Sequence, residues 1–247
     1  MKNILITENI LSLDDAESTR IVYDKTNDCL HIQTKEPYKF IDLGLSVKWA
    51  TYNLGATKED EVGALYAWGE TTGYFCMENG MEFITEPYGG YDAKYPKAFW
   101  NGDYKFYTSS DGYIKYNEID GISELYTEDD AAYYLNNTMR IPSEVNCEEL
   151  INNTTLEIIT INNVSGIQLT STVEGYTDKS IFIPMSKYAA NGSLTLYANN
   201  CNFWLRNKSN NGDMFAKTFS YNENNENVEI KDMVKYIGLP IRPVKEK

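Results

Sequence analysis

The chain has 247 residues, 22 of them basic and 36 acidic, for a net charge of −14, with a single histidine, His31. That balance lacks the clustered Lys and Arg that hold nucleic acid, and no apolar run approaches the roughly 18 residues needed to cross a bilayer. With 42% hydrophobic and 13% aromatic residues there is enough for a real core, so the sequence predicts a folded, soluble protein with one large domain plus an appendage, or two small domains.

Met1–Glu36 reads as a small β arm, with Arg20–Tyr23 and Cys29–Ile32 flanking the turn-rich stretch Asp24–Asp28. Two short strands do not fold alone. The arm therefore docks on another subunit, serving attachment or oligomerisation, or it packs on its own domain. Near the start, Glu8 interrupts the apolar patch Ile4–Ile6 before a signal-peptide core forms. The expectation is a protein made in a cytoplasm and kept there until assembly or lysis.

A second unit, residues 37–247, opens at Tyr38–Gly44. Its middle, Thr71–Ile122, is rich in Tyr, Gly, Asp and Asn and has no sustained period, which predicts a long loop ordered by its own aromatic side chains. Two early helices follow. In Thr127–Leu135, Thr127 is the expected cap and the acids fill the first turn, where they meet the positive end of the dipole. After Pro142, Ser143 is the expected cap, with Cys147, Leu150 and Ile151 as the buried stripe. Beyond Asn153 the pattern turns to strands: a hairpin from Leu156–Ile161 through Asn162-Asn163 to Val164–Leu169, then Ser180–Ile183, Asn202–Leu205, Met214–Tyr221, Val228–Met233 and Ile241–Val244. Early helices and late strands predict an α+β class with an antiparallel sheet.

Several runs carry a resemblance. Asp42–Ala56 reads DLGLSVKWATYNLGA and Gly63–Thr71 reads GALYAWGET; then, in order, come Asp130–Ala132, Arg140–Ser143, Ser180–Pro184, Phe203-Trp204 and Gly238–Val244. Together they resemble a paralogous domain abundant in Bacteroidetes, over about Tyr38 to Val244. That family is a branch of the C-type lectin fold, similar to formylglycine-generating enzymes and to phage tropism determinants. The resemblance implies a C-type-lectin-like domain that joins its two ends in one sheet, sets two helices beside it and displays long loops. It also implies a bacteriophage virion protein: a head or tail fibre, decoration or receptor-binding subunit. Such a protein would be assembled in the host cytoplasm and would contact capsid or tail proteins and a host surface polysaccharide or protein. A homotrimer is expected by analogy with phage fibres. The alternative is a bacterial surface or secreted binding module of the same fold.

No enzyme is expected. The formylglycine-generating relatives need two late reactive cysteines and this chain offers only Cys201 there; the sole histidine, His31, lies outside the domain in a strand-like run, where a structural role is expected. Cys29, Cys76, Cys147 and Cys201 are spaced too widely for zinc, and no calcium loop or calcium-dependent sugar-reading triplet appears, so neither metal nor cofactor is expected. Buried, inert thiols are the expectation, with disulfide pairing left open. Trp49, Trp68 and Trp204 are expected in the core, with Arg140 and Arg242 tying loops and strand ends.

Recognition is expected in the irregular regions. Tyr88, Tyr91, Tyr95, Trp100, Tyr104, Tyr107 and Tyr113 offer flat amphipathic rings that suit sugar faces and protein interfaces. A second patch, near the closing strands, is Asn-rich around Trp204: Asn200, Asn202, Arg206 and Asn210 could read hydroxyl groups, because amides both donate and accept.

Overall fold

The structure, a computed structural model, describes residues 19–24, 29–34, 38–75, 84–85, 101–186, 188–190, 193–195, 200–222 and 226–247. The chain forms two compact units, Met1–Pro37 and Tyr38–Lys247. In the first, β1 (Thr19–Asp24) pairs antiparallel with β2 (Cys29–Thr34).

The second unit opens with β3 (Phe40–Ile41) and β4 (Val47–Ala50). Short pairs follow in the tyrosine-rich middle: β5 (Tyr74–Phe75) with β6 (Ile84–Thr85), and β7 (Tyr107–Thr108) with β8 (Gly112–Tyr113). Next come α1 (Ala131–Leu135), β9 (Met139–Arg140) and α2 (Glu144–Asn152). β10 (Thr154–Ile161), β11 (Val164–Ser171) and β12 (Ser180–Pro184) form an antiparallel sheet, and β13 (Tyr188–Ala190) pairs with β14 (Ser193–Thr195). β15 (Asn200–Lys208), β16 (Phe215–Asn222) and β17 (Asn227–Val234) form a second meander. The chain closes with β18 (Val244–Glu246), which lies between β4 and β9 and so joins both ends of the unit in one sheet.

The α+β expectation with two early helices is overturned: among the described residues strands dominate, and α1 and α2 are only five and nine residues long. The cause is visible in the acid run. Thr127 does not cap a helix. Residues 127–129 form a 3₁₀ turn, the Asp129 carboxylate turns inward, and Asp130 caps α1, accepting from the N–H groups of Ala132 at 3.0 Å and Tyr133 at 3.1 Å. Side-chain partners thus claim the residues that were to build the first turn. The second helix matches its expected cap: Ser143 Oγ accepts from Asn146 N at 3.1 Å, and Asn146 Oδ1 accepts from Ser143 N at 3.0 Å. In the β10–β11 hairpin Asn162 and Asn163 both take left-handed φ, 49° and 67°, as a tight hairpin turn of that hand requires. The closing run Ile241–Pro243 is not strand, although the carbonyls of Ile241 and Pro243 accept from Leu54 N and Ala50 N.

Two cores result. One is aliphatic and strand-built, with Leu43, Trp49, Cys147, Leu150, Ile167, Ile183, Phe203 and Phe219 among its buried members. The other is aromatic and built largely from loops, with Trp68, Tyr104, Phe106, Tyr116 and Trp204. Arg242 is wholly buried and donates to Asn53 Oδ1 at 2.8 Å, Ala50 O at 3.1 Å and Phe182 O at 2.8 Å, tying the closing run to both neighbours. Gly63, at φ +77°, lies so close to the Leu54 carbonyl that a Cβ would collide with it, which accounts for glycine at the head of the GALYAWGET run.

Candidate ligand-binding surface

The late tyrosines act first as scaffold. Tyr116 sits at φ 57°, in the left-handed region that a bulky residue seldom adopts, and is held there by its buried ring. The ring packs edge-on to Trp68 at 5.1 Å and Phe106 at 5.3 Å, and its hydroxyl donates to Asp129 Oδ2 at 2.6 Å. Asp129 also receives Lys105 at 2.6 Å and Lys115 at 2.5 Å. Burial alone would raise the Asp129 carboxyl, but hydrogen bonds from Lys105, Lys115 and Tyr116 outweigh it and hold it below the usual range.

The Tyr116 carbonyl points at Lys235, a fully buried lysine on the opposite wall. Its ammonium donates to Tyr116 O at 2.8 Å and to Asp213 O, and lies 5.1 Å from the centre of the Trp68 ring and 5.3 Å from that of Tyr113. Carbonyl dipoles and ring faces stabilise the charge. Burial, reinforced by Lys208, still pushes its pKa down to about 8.

Lys235 thereby joins two segments that are far apart in sequence, 113–126 and 206–214. Lys208 Nζ donates to Asn117 O at 2.7 Å, Glu118 N donates to Asp213 Oδ1 at 2.5 Å, and Arg206 Nε meets Glu124 Oε2 at 2.7 Å. Along the free edge of β15, where its register with β16 shifts between Trp204 and Lys208, Leu125 N donates to Arg206 O and Lys208 N to Ser123 O, both at 2.8 Å. That edge is open to the loop because β15 is the outer strand of its sheet. At the tip, Asn117 Oδ1 accepts from the N–H groups of Ile119 and Asp120, both at 2.9 Å, while Asp120 accepts from Asn117 N and Ile122 N. This self-bonded turn presents Ile119, 94% exposed, with Ile114, Tyr126 and Met214 also exposed on the joined segments.

Of the residues expected to bind, Arg206 and Asn210 belong to this surface, Asn210 exposed and Arg206 paired with Glu124. Tyr104 does not bind from here: it is buried at 3% exposure, its hydroxyl donates to Trp68 O at 2.6 Å, and no ring face remains for a ligand. Tyr107 is half-buried and packs edge-on against Tyr113 at 5.3 Å. Asn200 and Asn202 lie at the opposite end of β15; Asn200 is half-buried, and Asn202 is buried, its Oδ1 without a hydrogen-bond partner among the described residues. Tyr88, Tyr91, Tyr95 and Trp100 lie outside the described residues.

Lys235, Asp213 and Ile119 escaped the sequence reading. Ile119 left a signal there, an isoleucine enclosed by the turn formers Asn117, Asp120 and Gly121. Lys235 left none, since a lysine just past a late strand reads as solvated.

The thiols of Cys147 and Cys201 are buried and free, and burial pushes both up, Cys201 to about 12. Among the described residues no group of His, Cys, Asp and Glu could hold a metal ion, and no helix is long and apolar enough to cross a membrane. No protein-family model, curated protein or solved structure matches the chain.

Proposed function

We propose that the chain is a non-enzymatic bacteriophage virion protein, a fibre, decoration or receptor-binding subunit that presents the joined 113–126 and 206–214 surface to an external partner. The observation that carries this reading is the convergence of 113–126, the stretch that begins at the last of the expected tyrosines, with the Asn-rich late segment onto one exposed, hydrogen-bonded surface anchored on Lys235. A tip whose backbone groups are already satisfied by its own turn suits binding without rearrangement. The virion assignment draws on the resemblance of Asp42–Ala56, Gly63–Thr71 and Gly238–Val244 to the Bacteroidetes domain and its tropism-determinant relatives. The same reading proposes a homotrimer attached to the virion through the N-terminal arm.

The test uses the full chain, fluorescently labelled, on a panel of Bacteroidetes strains, with sedimentation to fix its oligomeric state. Saturable binding to some strains by a trimer is the expected result. A folded monomer that binds none of them would sink the proposal.

A further inference from the structure

We infer that the partner of this surface is a polypeptide with an apolar pocket edged by basic side chains, and that Ile119 is the residue that enters the pocket. The inference rests on the binding role proposed above and specifies its ligand.

Ile119 is 94% exposed, yet its backbone is fastened from several sides: by Asn117 Oδ1, by the adjacent Glu118–Asp213 bond and by Lys208 on Asn117 O. A single exposed aliphatic residue on a protein surface is ordinary. One held on a pre-organised turn is an anchor, because little conformational entropy remains to be lost on docking. Ile114 and Met214, 52% and 37% exposed, lie elsewhere on the same joined segments.

The rim is acidic. Glu118 and Asp120 are exposed, and Asp213, half-buried, accepts from the Glu118 N–H beside the tip. The nearby cations are already engaged, Arg206 by Glu124 and Lys208 by the Asn117 carbonyl. A partner that seats Ile119 gains by bringing positive charge to Glu118 and Asp120, the exposed carboxylates of the tip. A second copy of this chain would bring the same acidic rim to this edge, which like charges disfavour.

A glycan fits less well. Among the described residues of the aromatic middle, rings that could stack on sugar faces are turned inward, Tyr104 and Tyr116 into the core and Tyr107 against Tyr113. Tyr126 keeps 48% exposure, but the Lys115 ammonium lies over its ring at 5.0 Å from the centre. What projects instead is aliphatic.

The experiment uses intact cells of a strain that binds the labelled full chain, comparing it with Ile119→Asp and Glu118→Lys, both at exposed side chains, with circular dichroism to confirm unchanged folding. Ile119→Asp is expected to weaken binding about tenfold or more, as removal of an anchor does. Glu118→Lys should weaken it several-fold, and raised salt should weaken the unaltered chain in the same sense. Protease treatment of the cells should abolish binding, and a capsule-deficient mutant should retain it. Binding indifferent to Ile119→Asp overturns the inference, as does binding that survives protease and vanishes with the capsule, which would make the ligand a polysaccharide. If the unaltered chain binds no strain, the binding role itself falls and this inference with it.

Discussion

The two cores of Tyr38–Lys247 meet the need to bury backbone in different ways. The strand-built half satisfies its peptide groups through ladders, so its side chains are free to be plain fillers: Ile167, Leu169, Ile181, Ile183 and Phe203, with a Trp49 whose indole N–H finds no partner among the described residues. The loop-built half has few ladders, and its side chains must supply the missing donors and acceptors. Trp68 Nε1 donates to Leu205 O and Trp204 Nε1 to Tyr66 O, each at 2.7 Å, while Tyr104, Lys235 and Asp129 do the same for neighbouring groups. A core made from loops is polar at its attachment points because irregular backbone cannot satisfy itself.

The widest separation between the halves should come from tryptophan. Trp68→Ala is expected to cost about 3–5 kcal/mol, since it opens a cavity and also removes the donor to Leu205 O. The sharper pair is Trp68→Phe against Trp49→Phe in urea unfolding. The first orphans a carbonyl and the second relieves an unpartnered N–H, so Trp49→Phe should be the milder. Equal losses would erase the distinction drawn here.

Asp129→Ala should cost about 2–4 kcal/mol, because it strands Lys115 and the Tyr116 hydroxyl in a largely buried site. Its signature is acid dependence. With the folded carboxyl held low, its contribution is present above the unfolded value of about 3.9 and is lost as pH falls through the folded one. The variant should show a shallower acid unfolding profile than the parent.

Lys235 predicts the opposite slope in alkali. Its folded pKa of about 8 lies below the unfolded value of about 10.4, so the unfolded chain holds more protons between them and stability should rise with pH across that window. Above about pH 10 the buried tyrosines reverse the trend: Tyr113, pushed up to about 12 by burial, and Tyr66, Tyr104 and Tyr116, also raised, ionise only on unfolding. Denaturant titrations of Lys235→Met should lack the rise from pH 8 to 10.

The smallest effect belongs to the strand-built half. Ile167→Val should cost about 0.5–1.5 kcal/mol, with no pH signature, since only a methylene is lost. A larger loss would show that the aliphatic half is packed as restrictively as the aromatic one.

Legibility from sequence divides along the same line. The β10–β11 hairpin was readable in its Asn162-Asn163 turn and flanking alternation, α2 in its Ser143 cap, and the buried tryptophans and Arg242 in their glycine-rich and apolar settings. These are local signals, carried by residues a few positions apart. The acid run at 128–130 misled, because a helix start and a pair of inward-facing carboxylates look alike until their partners are known. The class followed from that misreading.

Of the candidate site, sequence marked Tyr113, Arg206 and Asn210, and tertiary structure decided that the segments holding them meet. By itself the sequence determined a folded acidic chain, late antiparallel strands, a helix capped at Ser143 and a core holding its tryptophans, all consequences of composition and short-range pattern. Only the fold decided that Lys235 would be buried between Tyr116 and Asp213 and that Tyr104 would turn inward. Each depends on partners roughly twenty to more than a hundred residues away, and no local pattern encodes which distant carbonyl a lysine will find.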